Sequence, residues 1–290
     1  MSFYNPSTTR VKWHDSPEAF LGYISALPKK YQTWEWLCNT PHKINWLGAS
    51  AENALKMLQY GDRTYLKDAE ALMDKMREEG LLSYGQKIWQ SDVIGAYPNV
   101  ANYIMGQPDT MFNKIETDLV SNTTPIRIFI DLFLSAGVTV QEAITKGNAI
   151  LGFIMAMQNI RPIELYVVCI TNNYQNFDIQ TSGSVIKIDT QPMDIDRALY
   201  MCGNPAFARQ LCFPQIMYQA NPDNVMKDPL PPAWELPTES SRYHTNMREL
   251  LALEPHDVLM SGQYLYNTEY LSNPVKWIKK EMQKYTTINE

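Results

Sequence analysis

Aromatic and basic side chains are interspersed along the chain between residues 10 and 46. Flat aromatic rings can stack on the bases of single-stranded nucleic acids, at about 1–3 kcal/mol per base and with little dependence on base identity. Lysine and arginine side chains beside such rings can contact the phosphates. The alternative for these rings is structural, namely packing of the N-terminal segment onto the rest of the protein. We predict a DNA-binding surface composed of Arg10, Lys12, Trp13, Lys29, Lys30, Tyr31, Trp34, Trp36, Lys43 and Trp46.

A second basic group lies on a predicted C-terminal helix that begins after the capping residue Asn273. Lys276, Lys280 and Lys284 are spaced by four residues, so they share one helix face. We include these three lysines among the candidate DNA contacts. The alternative is an ordinary solvated helix surface.

Asp131 follows a predicted strand, at the strand end where open α/β sheets place their ligand crevice. The sequence from Asp131 to Ser135 resembles the Asp-x-Ser-x-Ser metal-binding loop of von Willebrand A-like domains. Here Phe133 replaces the first serine, and phenylalanine offers no oxygen to a magnesium ion. We therefore predict a degenerate site without metal, and no cofactor. The alternative role of Asp131 is a carboxylate that orders the loop or caps a helix.

Enzymatic motifs are weak or absent in the sequence. Asp109, Glu164 and Lys187 could form the carboxylate–lysine set of a metal-dependent nuclease, but their spacing is loose. There is no phosphate-binding loop, no dinucleotide fingerprint and no nucleophile elbow. The four cysteines and four histidines are scattered, which favours buried reduced thiols over a zinc site. We predict a protein that is not an enzyme.

The composition is that of a globular protein with a net charge of −6. A protein that binds duplex DNA mainly through its phosphates would normally be basic. Single-strand binding remains open, because stacking can supply much of the affinity. The N-terminus lacks the apolar core of a signal peptide, and no apolar run is long enough to span a membrane. We expect a cytoplasmic protein.

The segment from Pro125 to Ile170 is predicted to position Asp131. Two apolar runs flank a stretch of helical periodicity, which is typical of a βαβ unit with parallel strands. Thr139 and Glu142 fit a capping box at the start of the helix. The predicted fold is therefore α/β, with a central, mostly parallel sheet flanked by helices.

Other segments complete the predicted organisation. Helices are expected after the capping residues Ser16 and Ser50, and they form a helical N-terminal extension. We divide the chain into a mainly helical region (1–111), an α/β core (112–220), and a proline-rich arm with C-terminal helices (221–290). These regions are expected to form one compact domain.

Several stretches resemble a family of phage proteins. They are Trp46–Leu55, Asp92–Val100, Tyr103–Pro108 with Met111, the βαβ unit with Asp131 and Ser135, and Asn204–Phe213. Their layout is similar to that of phage proteins with a degenerate von Willebrand A-like core. Within that group they resemble the Drc-like RNA polymerase cofactors, which bind single-stranded DNA in podoviruses with a giant virion RNA polymerase. The resemblance covers about residues 46–213 and assigns no binding residue.

The resemblance implies a non-enzymatic protein that binds single-stranded DNA and brings a phage-encoded RNA polymerase to promoters, and that could also act in replication. It places the protein in the cytoplasm of an infected bacterium, and we expect a homo-oligomer. Two other hypotheses remain open. One is a von Willebrand A-like adaptor for other proteins, without DNA binding. The other is a metal-dependent enzyme that uses Asp131.

Overall fold

A mixed five-stranded sheet forms the centre of the computed structural model. The structure describes residues 9–33, 45–64, 66–82, 87–95, 97–116, 125–132, 138–158, 162–175, 178–190, 192–220, 247–260 and 272–286. The strands are β1 (Thr9–His14), β2 (Lys87–Asp92), β3 (Tyr97–Pro98), β4 (Met111–Glu116), β5 (Ile126–Asp131), β6 (Ile163–Gln175), β7 (Asp178–Ile188) and β8 (Val258–Met260). The predicted proline-rich arm, Asn221–Glu239, lies outside the described residues.

Helices account for most of the remaining described structure. They are α1 (Pro17–Ala26), α2 (Ala51–Tyr60), α3 (Leu66–Glu78), α4 (Val100–Ile104), α5 (Val140–Gln158), α6 (Ile195–Gly203), α7 (Phe213–Ala220) and α8 (Pro274–Thr286). A 3₁₀ turn covers Lys29–Tyr31, and a π-helical segment, Phe207–Cys212, precedes α7. No helix among these described parts is both long and apolar enough to cross a membrane.

The strand order of the central sheet is β1-β7-β6-β5-β8. Three of the four neighbouring pairs are parallel, and only β6 and β7 run antiparallel. The predicted α/β class, with a mostly parallel sheet flanked by helices, is confirmed. The predicted βαβ unit is also confirmed: β5 pairs with β6 in parallel register, Ile128 opposite Leu165, and α5 connects them.

The start of α5 shows the predicted capping box. The backbone N–H of Thr139 donates to Glu142 Oε2 at 2.8 Å, and the backbone N–H of Glu142 donates to Thr139 Oγ1 at 3.2 Å. Ser16 caps α1 and Ser50 caps α2 in the same manner, by accepting a backbone N–H three residues later. These short-range signals are readable from sequence because both partners lie within one turn.

The predicted helical N-terminal extension is present as α1 and α2, and a strand that was not predicted, β1, precedes it. Thr9–His14 pairs in parallel with β7 and forms one edge of the central sheet before α1 begins. In this short strand the apolar residues Val11 and Trp13 alternate with the charged residues Arg10 and Lys12. The strand therefore contains no continuous apolar run. Its strand conformation depends on pairing with residues about 170 positions away.

The two faces of the central sheet carry two hydrophobic clusters. The larger cluster takes Ile128, Ile130, Leu165 and Ile186 from the strands and includes buried residues from most of the helices. The intervening strand residues point to the other face, because successive side chains in a strand alternate. That face is covered by a smaller cluster with Met247, Leu251 and Leu259. One face is therefore the main helical core, and the other is only partly covered by described residues.

Residues 87–116 form a separate small sheet with the order β2-β4-β3, in which both pairs are antiparallel. Helix α4 lies in the connection between β3 and β4. Among the described elements, the main contacts of these strands are with one another.

Candidate nucleic-acid interface

Three aromatic rings meet on the partly covered face of the central sheet. Trp13 on β1 approaches Phe129 on β5 at 6.3 Å and Tyr166 on β6 at 5.9 Å between ring centroids, edge to face in both cases. Phe129 and Tyr166 stack on each other at 4.7 Å with an interplanar angle of 10°. The strand registers explain this grouping: Phe129 is directly opposite Tyr166, while Trp13 is opposite Val185 and reaches diagonally across the sheet. We call these three residues the aromatic platform.

The platform combines a rigid base with an accessible ring. Phe129 is fully buried, and Tyr166 is half-buried, so the stacked pair is held by the core of this face. The Trp13 side chain, in contrast, remains 51% exposed. An indole braced by two fixed rings loses little conformational entropy when a base stacks on it. This arrangement is suited to binding a planar, apolar group from solvent.

Two cations flank the aromatic platform. Lys187 Nζ lies 5.8 Å from the Tyr166 ring centroid, and Arg127 Cζ lies 5.9 Å from that of Phe129. Lys187 is opposite Tyr166 in the β6–β7 register, and Arg127 is two residues before Phe129 on β5. Both distances are within the range of cation–π attraction.

Each of these cations also has an acidic partner. Lys187 Nζ binds Glu164 Oε1 at 2.9 Å, and Arg127 binds the buried carboxylate of Asp257. The hydrogen bond from Lys187 lowers the pKa of Glu164, and the same contact raises the pKa of Lys187. The hydrogen bond to Asp257 raises the pKa of Arg127. The charges around the aromatic platform are therefore balanced and fixed in place.

The remaining predicted residues on β1 point to the opposite, helical face of the sheet. Arg10 donates to the carbonyl oxygen of Gln219 at 2.7 Å, and Lys12 Nζ lies 4.1 Å above the Tyr23 ring of α1. Both side chains are exposed. Strand alternation therefore separates Arg10 and Lys12 from Trp13, although the three residues are close in sequence.

Two predicted aromatic residues take structural roles. Tyr31 is 2% exposed and packs against Tyr218 of α7 at 5.0 Å, so its ring cannot stack on a base. Trp46 is half-buried, and the Arg209 guanidinium lies 4.4 Å from its ring. The proposed surface role of Tyr31 is corrected by its burial.

The other predicted N-terminal residues are spread along the chain. Lys29 is exposed in the 3₁₀ turn that also contains Lys30. Trp34, Trp36 and Lys43 lie outside the described residues. Among the described residues of the predicted N-terminal group, Trp13 alone reaches the aromatic platform.

The predicted C-terminal lysines lie on α8, whose buried residues belong to the main helical core. Lys276, Lys280 and Lys284 are exposed, as their four-residue spacing predicts. Lys284 pairs with Glu281 on the same helix at 2.9 Å. Because α8 packs on the helical side of the sheet, these lysines and the aromatic platform are on different sides of the molecule.

The interface predicted from sequence did not include Phe129, Tyr166 and Arg127. The available signal was strand alternation: Arg127 and Phe129 occupy the positions between Ile126, Ile128 and Ile130. Lys187 and Glu164 were considered only as part of a nuclease set, and they are indeed neighbours on the sheet. Asp109, the third residue of that set, lies in the small sheet region between α4 and β4.

Asp131 lies at the end of β5, is 1% exposed, and is close enough to Lys146 of α5 to influence its charge. Burial lowers the pKa of Lys146 to about 8, while the carboxylate of Asp131 opposes that shift. Ser135 lies outside the described residues. The described residues contain no group of three or more His, Cys, Asp and Glu side chains that could hold a metal ion.

A buried polar network supports β1 from the helical side. The hydroxyl of Ser184 donates to Gln215 Oε1 at 2.9 Å, and His14 Nε2 lies 3.0 Å from Ser184 Oγ. Because the Ser184 proton is committed to Gln215, His14 Nε2 carries a proton and donates to Ser184. Burial is the largest cause that lowers the pKa of His14 to about 4, and Lys12 adds to the effect. This network fixes the strand that carries Trp13.

Comparison with known proteins gives a family but no activity. No curated protein and no solved structure shows a significant match to the chain. One family model, described as a domain of unknown function (DUF7192), matches residues 7–241. This match includes β1, the small sheet, β5 to β7 and α1 to α7. Since it spans more than half of the sequence, the chain belongs to the DUF7192 family.

Proposed function

We propose that this protein binds single-stranded DNA on the aromatic platform and acts as a phage transcription cofactor. The observation that carries the DNA-binding proposal is the half-exposed indole of Trp13, braced against the stacked rings of Phe129 and Tyr166. Aromatic rings on the face of a sheet are a recurrent way to stack unpaired bases. The proposal does not involve catalysis.

The charge distribution supports a single-stranded ligand over a duplex. The protein carries a net charge of −6, and the two cations at the aromatic platform are paired with carboxylates. Duplex binding by phosphate contacts would require several free cations. A base stacked on Trp13 would bring its phosphate close to Lys187 or Arg127, so one or two charge contacts would suffice.

The direct test is titration of the wild-type protein with an unstructured oligodeoxythymidine at low salt, followed by fluorescence anisotropy of the labelled DNA. We expect saturable binding, with weaker binding to a duplex of equal length. Trp13→Ala should weaken binding by about 5- to 150-fold, because stacking contributes about 1–3 kcal/mol per base. Trp13→Phe should retain most of the affinity but reduce the quenching of tryptophan fluorescence.

Tyr60→Ala is the matched control for this test. Tyr60 is 71% exposed on α2, so its removal deletes a solvent-facing aromatic ring outside the aromatic platform. The Tyr60→Ala variant should bind the oligonucleotide with the same affinity as the wild type. Equal loss in both variants, or no binding by the wild-type protein, would contradict the proposal and favour the protein-interaction adaptor. An RNA oligomer of the same length would show whether the sugar is recognised.

The ion pair beside the aromatic platform gives a separate prediction. Glu164→Gln removes a negative charge and releases Lys187 for a phosphate, so we expect DNA affinity to rise about threefold to fivefold at low salt. Lys187→Ala should lower affinity and reduce the slope of log affinity against log salt by about 0.7 for one lost phosphate contact. If both variants bind DNA like the wild type, then Lys187 does not contact the ligand.

The transcriptional part of the proposal is supported by the resemblance of residues 46–213 to polymerase cofactors of podoviruses. It implies action in the cytoplasm of the infected host and a phage-encoded RNA polymerase as partner. Co-purification of a tagged chain from infected cells, with and without nuclease treatment, would test for this partner. A polymerase that remains bound after nuclease digestion supports direct contact, and its absence in both samples contradicts the cofactor role.

A further inference from the structure

The small sheet region contains a charge-free, apolar surface. The sixteen residues from Val93 to Pro108 include no Asp, Glu, Lys, Arg or His. Six large apolar side chains in this stretch are between 59% and 78% exposed: Val93, Ile94, Val100, Tyr103, Ile104 and Met105. We call these six residues the apolar surface. Scattered exposed apolar side chains are common, but a continuous set in one short segment is typical of a binding surface.

Local hydrogen bonds hold this segment in one conformation. Asn99 is buried and its side chain accepts the backbone N–H of Asn102 at 3.2 Å, which caps α4. The Asn102 side chain then donates to the carbonyl oxygen of Asp109 at 3.0 Å, and Gly106 ends the helix with a φ of 67°. The exposed side chains are therefore presented by an ordered loop and helix.

The spacing of the helical residues explains why they are exposed together. Val100, Tyr103 and Ile104 are three and four residues apart, so they lie on one face of α4. Val93 and Ile94 precede β3, which leads into the same helix, and Met105 directly follows it. An amphipathic arrangement in which the apolar side faces solvent indicates a missing partner.

Charge and area both favour a second copy of this chain as the partner. All six residues are more than half exposed, so their burial would supply a large part of the roughly 800 Å² that each partner buries in a stable protein complex. Two copies of this protein, each with a net charge of −6, repel each other overall. The apolar surface is free of that repulsion, and an uncharged patch is compatible with itself across a two-fold axis. The absence of cations here also disfavours a nucleic acid as the occupant.

We propose that the apolar surface is the interface of a symmetric homodimer, in which α4 of one copy packs against α4 of the second copy. Burying apolar area of this size provides the driving force, and the absence of charged side chains means that none must be desolvated. This inference does not depend on DNA binding, since the apolar surface and the aromatic platform share no residue.

Sedimentation velocity of the full chain, without DNA, over a wide concentration range tests the proposal. We expect a species of twice the 33.4 kDa chain mass at high concentration. Ile104→Asp and, separately, Tyr103→Asp should raise the dimer dissociation constant at least about 100-fold, because each substitution places two like charges in a desolvated interface. Dimerisation of the wild type should persist in 1 M salt, since screening does not weaken apolar contacts.

Tyr60→Asp serves as the matched control, because it adds a charge at an exposed tyrosine on α2. It should dimerise like the wild type, and at a concentration low enough for the wild type to be monomeric, thermal melting of all three variants should match the wild type, since the substituted side chains face solvent. A wild-type chain that is monomeric at every concentration overturns the proposal. So does a dimer that tolerates both Ile104→Asp and Tyr103→Asp, because its interface must then lie elsewhere.

Discussion

Gly147→Ala is expected to destabilise the protein by about 3 kcal/mol, although alanine is the better helix former. Gly147 lies in α5 at its crossing with α6, and a Cβ atom at this position would lie 2.2 Å from Gly203 Cα. The contact is with backbone, so no side-chain rotation can relieve it. The two helices would have to separate, which loosens the packing of the main helical core. Urea denaturation of the wild type and the variant measures the change.

Two other glycine substitutions provide the controls. A Cβ atom at Gly203 would lie 3.0 Å from Gly147 Cα, so Gly203→Ala should cost less than Gly147→Ala. Gly22 is exposed in the middle of α1, and an added Cβ there has no atom within 4 Å. Gly22→Ala should therefore stabilise the protein by about 0.5–1 kcal/mol. If Gly147→Ala were as stable as Gly22→Ala, the backbones of α5 and α6 would not be in close contact at Gly147.

Acidification is expected to remove about 2–3 kcal/mol of stability through His14 alone. Burial holds the pKa of His14 at about 4, against 6.5 for a free histidine. Between these two values the unfolded chain binds a proton that the folded chain excludes, so unfolding becomes easier as pH falls. The contribution of His14 is complete above about pH 6.5 and is lost progressively down to about pH 4.

His14→Gln isolates this effect from the titration of carboxylates. Glutamine cannot be protonated in this range, and its amide can still donate a hydrogen bond to Ser184 Oγ. The difference in unfolding free energy between wild type and His14→Gln should shift in favour of the variant as pH falls from 7 to 4.5. Parallel pH profiles for the two proteins would show that His14 titrates normally.

Local sequence signals predicted the parts of the fold that depend on neighbouring residues. The capping box at Thr139 and Glu142 and the cap at Ser50 each involve residues within one helical turn, and the structure contains both. The β5–α5–β6 unit follows from two apolar runs around a helical period, with a crossover of nearly fixed handedness. β1 was missed because its strand conformation depends on pairing with β7, which is distant in sequence.

At the candidate site, the difference between what neighbouring residues predict and what distant segments decide is larger. Trp13 was identified from its type and its basic neighbours. Sequence distance, however, grouped it with Tyr31, which the fold buries against α7, and with Lys12, which strand alternation sends to the other face. Its actual neighbours, Phe129 and Tyr166, are more than a hundred residues away.

The amino-acid sequence by itself therefore determined the α/β class, the βαβ unit, the helix caps and the supply of aromatic rings. These features arise from periodicity and from contacts within a few residues. Only the tertiary structure decided which rings meet and which side chains reach solvent. Strand order, register and the choice of face depend on pairings between distant segments, and a shift of one residue in any strand would send its side chains to the opposite face of the sheet.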